Sequence, residues 1–160
     1  MRRHIRIVGL IVGPLVVAAP AGAVQVAFDS FGGNFAFVGP KYTEQSFDFT
    51  NPSGGNSDTA LSTWGSSTNF ADPTGNALNN NYPGAVTISS RSDGALFRLN
   101  SVDLTGVHNE NVGGAILFTF KTALGSRTRL VTIDAFAGFQ SFTFNRPDLI
   151  SASYRPLADR

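Results

Sequence analysis

After residue 23 the chain is built from short runs in which apolar and polar residues alternate, separated by Gly, Asn, Ser, Asp and Pro. A period of two places one side-chain set on a core and the other in water, the pattern of a half-buried strand. The runs predict strands over Val24–Phe31, Gln45–Thr50, Ala85–Ser90, Ala95–Leu104, Ala115–Ala123, Arg127–Asp134, Phe139–Asn145 and Leu149–Tyr154. Ile116, Phe118 and Phe120 share one face, Val131 and Ile133 another, and Phe142 and Phe144 a third. No stretch keeps an apolar stripe at helical spacing for three turns.

One run changes parity partway. Phe97 and Leu99 are followed by Val102 and Leu104, so an extra residue near Asn100-Ser101 is needed to keep all four on the core side. This predicts a β-bulge there, or a bend between sheets. Asp93-Gly94, Gly113-Gly114, Leu124-Gly125-Ser126 and Asn145-Arg146-Pro147-Asp148 read as turns. Strands at such short spacing predict an all-β domain of two antiparallel sheets, a β-sandwich of jelly-roll or galactose-binding-like type. The stretch Asn51–Gly84, rich in Asn, Gly, Ser and Pro, reads as a long polar loop region.

The N-terminus follows a different pattern. Arg2, Arg3, His4 and Arg6 precede an apolar run of 13 residues, Ile7 to Ala19, and then Ala21-Gly22-Ala23. That order is the pattern of a secretory signal, and the run is short of the roughly 20 residues a membrane-crossing helix needs. Cleavage after Ala23 is expected, leaving one domain over residues 24–160, secreted and without a membrane anchor. Removing Arg2, Arg3 and Arg6 from the twelve basic residues leaves nine against eleven acidic ones, a net charge of −2. The charges are scattered singly, so no basic stripe for nucleic acid is present. With no cysteine, disulfides and thiolate chemistry are excluded, and the 14 Phe residues must supply the core.

The second half carries a resemblance. Asp93-Gly94-Ala95-Leu96-Phe97-Arg98-Leu99-Asn100-Ser101-Val102-Asp103-Leu104 is followed by Ala115-Ile116-Leu117-Phe118-Thr119-Phe120, then by Ala137-Gly138-Phe139-Gln140-Ser141-Phe142-Thr143-Phe144. The succession resembles bacterial exported β-sandwich proteins of the PEP-CTERM type, over about Asp93–Tyr154. The resemblance implies a jelly-roll fold and a place in the extracellular polysaccharide matrix or at the cell surface. The sequence departs from the pattern at Leu157-Ala158-Asp159-Arg160, where the family continues into a Pro-Glu-Pro sorting signal. Surface sorting by that route is therefore not expected of this sequence.

Candidate chemistry is sparse. His108 lies in a polar stretch with Asp103 and Glu110 nearby, and no Gly-x-Ser-x-Gly elbow is present. Glycoside hydrolysis needs two carboxylates across a cleft, and nothing marks such a pair. The chain is expected to be non-catalytic, with a carbohydrate-active hydrolase a distant alternative. A structural calcium ion fits oxygen donors such as Asp29 and Asp48. Polysaccharide binding would use an aromatic platform beside amides, for which Trp64, Asn80 and Tyr82 are the candidates. Self-association through strand edges, giving a purely structural component, is the other reading. The oligomeric state is not set by the sequence.

Overall fold

The structure is a computed structural model that describes residues 5–13, 24–26, 28, 36–54, 57–64, 77–80, 86–106, 114–134 and 139–157. The described residues form strands and one 3-10 turn, Pro52–Gly54, and contain no α-helix. The strands are β1 (Ile5–Gly13), β2 (Val24–Val26), β3 (Ala36–Gly39), β4 (Lys41–Glu44), β5 (Phe47–Thr50), β6 (Leu61–Trp64) and β7 (Ala77–Asn80), then β8 (Thr87–Arg91), β9 (Phe97–Gly106), β10 (Gly114–Thr122), β11 (Gly125–Ile133), β12 (Gln140–Leu149) and β13 (Ser151–Pro156).

They make two antiparallel sheets. One runs in the order β12-β9-β1-β7-β6-β3, with β2 also paired to β1; the other runs β11-β10-β13-β8-β5-β4. Their inner faces share one cluster of buried side chains. Ring pairs join the sheets: Phe118 of β10 lies 4.7 Å from Phe144 of β12, and Phe47 of β5 lies 5.4 Å from Phe97 of β9. Tilted and edge-on arrangements of this kind add to the burial energy of each ring. Every Phe in this layer contributes about 1.5–3 kcal/mol of transfer free energy, so the rings stabilise a chain that has no cysteine to form disulfides.

The expected alternation is realised. Ile116, Phe118, Phe120, Val131 and Ile133 are buried, while Lys121, Thr132 and Asp134 face out. The parity change in β9 is a bulge: Ile11 pairs with Ser101 and Val12 with Leu99, so Asn100 is the extra residue. It brings Phe97, Leu99, Val102 and Leu104 all into the core.

Several features differ from the sequence reading, among them the strands β1 and β3, which it did not include. Residues 51–84 are not all loop, since β6 and β7 lie within them and bury Leu61, Leu78 and the hydroxyl-bearing Ser62 and Thr63. The Lys41–Glu44 strand was hidden because its only apolar residue is Tyr42. It forms by pairing with β5 through a two-residue turn, Gln45-Ser46, at φ of 50° and 64°. Finally, Asn145-Arg146-Pro147-Asp148 is not a turn: β12 runs through it to Leu149, which pairs with Phe97.

The N-terminal segment Ile5–Gly13 is a strand between β9 and β7 in the full-length chain. Its register runs from Ile5 opposite Gly106 to Gly13 opposite Arg98. Loss of residues 1–23 would remove it from the middle of that sheet.

Candidate binding cleft

The edge strands β11 and β12 lie side by side along one flank, one from each sheet. Arg129 on β11 donates from Nη1 to the Thr143 carbonyl of β12 at 2.6 Å, and its guanidinium lies 5.0 Å from the Phe144 ring. Further toward the β10–β11 turn the two edges part, leaving a cleft of about 350 Å³. Phe120 and Leu149 form its apolar base, Leu96 and Leu124 its rim, and Arg127 and Arg146 its flanks.

Each arginine reaches the cleft for a traceable reason. In the β10–β11 ladder Phe120 pairs with Arg127, Phe118 with Arg129 and Ile116 with Val131. Arg127 and Arg129 thus continue the inward face that Val131 and Ile133 begin. Inward charges on an edge strand also guard it against pairing with another sheet. Arg146 arrives by another device. Between Thr143 and Arg146, and again between Arg146 and Leu149, β12 advances three residues while β9 advances two. Two extra residues in an edge strand re-aim the side chain between them. Asn145 (φ 50°) and Asp148 (φ 56°) take the left-handed conformation that short polar residues tolerate best.

Arg146 is placed with its guanidinium 5.8 Å from the centre of the Phe120 ring. Its Nε is buried and makes no hydrogen bond. No ion pair joins Arg127 or Arg146 to a carboxylate among the described residues, although Asp148 also borders the cleft. Two guanidinium groups against one carboxylate give the cleft a net positive charge. Thr122 and Ser126 supply hydroxyls at the turn end.

The sequence-derived candidates lie elsewhere. Trp64 ends β6 opposite Ala77, while Asn80 ends β7 opposite Leu61. They occupy opposite ends of one strand pair, about 10 Å apart at 3.3 Å per residue. Tyr82, Asp29, His108 and Glu110 lie outside the described residues. Asp48 is engaged within the β4–β5 hairpin: Thr43 Oγ1 donates to it at 2.7 Å and Lys41 Nζ lies 2.8 Å away. Burial pushes the Asp48 carboxyl up, but these two hydrogen bonds outweigh it and leave it below its ordinary value. Among the described residues no group of three acidic or histidine side chains gathers around Asp48. Asp103 accepts a hydrogen bond from Ser141 across β9 and β12.

Compared with protein-family models, curated proteins and solved structures, the chain matches none.

Arg127 and Arg146 escape a reading that looks only for aromatic platforms and carboxylate pairs. Two signals were present. The parity of Val131 and Ile133, carried back two and four residues, puts Arg129 and Arg127 on the inner face. Pro147 within an otherwise strand-like run marks an edge strand or a bulge.

Proposed function

We propose that this is an exported, non-catalytic β-sandwich of jelly-roll type that acts in the extracellular matrix or at the cell surface by holding polysaccharide, as its PEP-CTERM-like strand succession implies. The observation that carries the reading is the open cleft at the parting of β11 and β12. The exposed apolar side chains at its rim, Leu96 and Leu124, suit the C–H faces of sugar rings, and guanidinium and hydroxyl donors at its sides suit their oxygens. A single bordering carboxylate, Asp148, is a poor basis for glycoside hydrolysis, which needs two.

The test is retention of the purified protein on immobilised polysaccharides, neutral and acidic. Binding to at least one polymer, reduced by Leu124→Asp at the rim, is the expected result. Failure to bind any of them removes the reading. Loss on Trp64→Ala or Tyr82→Ala with Leu124→Asp unaffected would move the site to the β6–β7 region.

Self-assembly is favoured by a separate observation. Phe37 on edge strand β3 is 53% exposed and Leu130 on edge strand β11 is 55% exposed. Sedimentation velocity distinguishes the two: assembly predicts concentration-dependent oligomers that Leu130→Lys abolishes, whereas binding alone predicts a monomer throughout.

A further inference from the structure

We propose that the cleft selects acidic polysaccharide, taking the carboxylate of a uronate unit between Arg146 and Arg127; this rests on the polysaccharide reading above and names its ligand class. Three observations converge. Arg146 is held by two successive bulges with non-glycine residues at positive φ on either side. Left-handed backbone at Asn145 and Asp148 is a cost that the surrounding strand must hold in place, and such strain collects where a side chain has to be aimed.

The aimed group is also unfinished. Arg146 stacks on Phe120, yet its Nε is buried without a partner. The buried Nε fixes the arginine in place but lies out of a ligand's reach; the two terminal nitrogens, with no hydrogen bond among the described residues, are the paired donors that a carboxylate engages in the fork geometry peculiar to arginine. Arg127, opposite Phe120 in the ladder, lines the same cleft and is exposed to an incoming ligand. The pair therefore offers planar donors beside the apolar rim.

A uronate matches both parts. Its ring lies against the exposed Leu96 and Leu124 at the rim, and its hydroxyls reach Thr122 and Ser126 at the turn. Asp148, the acidic group on the border among the described residues, opposes a carboxylate entering from its side and so favours approach from the Arg127 side.

The experiment compares retention of the full chain on polygalacturonate, on the same polymer with its carboxyls methyl-esterified, on neutral dextran and on dextran sulfate. Expected is preferential binding to polygalacturonate, weakened by salt and by roughly tenfold in Arg146→Gln, the size of a lost charged hydrogen bond. The exposed Arg127→Gln weakens it by a smaller factor, and circular dichroism confirms that both variants fold. Equal binding to the esterified polymer or to dextran overturns the uronate assignment while leaving polysaccharide binding intact. Tighter binding to dextran sulfate overturns it in favour of sulfate. Failure to bind any polymer sinks both the assignment and the reading beneath it. Unchanged polygalacturonate binding when Arg127→Gln and Arg146→Gln are combined also overturns it.

Discussion

Arg146 stacks on Phe120 at 5.8 Å with no carboxylate paired to it. A guanidinium over a ring face is worth about 0.5–2 kcal/mol, depending on how far it is desolvated. An unpaired buried donor costs about 1–3 kcal/mol. The second outweighs the first. Arg146→Met keeps the apolar stem and discards the donor, so it should leave stability unchanged or raise it by up to about 1 kcal/mol. Urea unfolding measures this. A loss of more than about 2 kcal/mol would mean that the arginine is a structural prop.

Asn51 is a polar residue with a structural task. It is 1% exposed, donates from Nδ2 toward the Ala60 carbonyl at 3.5 Å, and accepts from the Ser53 N–H through Oδ1 at 2.9 Å. Asn51→Ala strips partners from two backbone groups and should cost about 1–3 kcal/mol. Asn51→Asp keeps the acceptor and loses the donor, so it should lie between wild type and Ala. Thermal unfolding of the three proteins in parallel checks the order.

The β4–β5 turn uses residues poorly suited to it. Gln45 and Ser46 both sit at positive φ, as a type I′ turn demands, where Asn-Gly is preferred. Replacing the pair by Asn-Gly should add about 1 kcal/mol, read as a rise of about 2–4 °C in Tm for a chain of this size. An unchanged or lower Tm would show that the hairpin register depends on the native side chains.

Asp93 provides the acid-side signature. Arg91 donates to it from Nε at 2.9 Å and from Nη2 at 2.5 Å, and the Ala95 N–H adds a third bond at 3.0 Å. Arg91 first, then the Ala95 N–H, holds the carboxyl at about 2. A carboxyl depressed in the folded state favours folding above its unfolded value. That contribution falls away as pH drops from about 4 toward 2. Because the group is exposed, the effect on overall stability is small. The direct reading is an NMR titration of Asp93, with a midpoint near 2 that returns to the ordinary aspartate range in Arg91→Gln.

Sequence alone exposed the strands with clear apolar alternation and concealed those without it, and Ile5–Gly13 was hidden within a run that reads as an export leader. Phe97–Leu104 carried enough alternation for even its bulged residue, Asn100, to be located. Lys41–Glu44 carried one apolar residue and a turn without Gly or Asn, so no local signal could outweigh the pairing that forms it. Leu61–Trp64 buries Ser62 and Thr63, which look like surface residues until neighbouring strands cover them. The cleft was hidden for a similar reason. Its arginines matter because both line one opening, and that depends on the β10–β11 register and on two extra residues in β12. Trp64 and Asn80, the more conspicuous residues, ended at opposite ends of their strand pair.

The place of β1 carries a consequence for the order of events in the life of the chain. The nine residues of β1, which overlap the basic start and the apolar run of the leader expected from the sequence, fill the gap between β9 and β7. If residues 1–23 serve as that leader, a translocase must engage them before the sheet closes around them, and folding and export then compete for one segment. If a peptidase then removes them, β9 on one side and β7 with β2 on the other are left bare, separated by about 10 Å, twice the spacing of paired strands. That opening is the width of one extended chain, and the shortened chain must either close it by drawing β9 and β7 together or admit another strand.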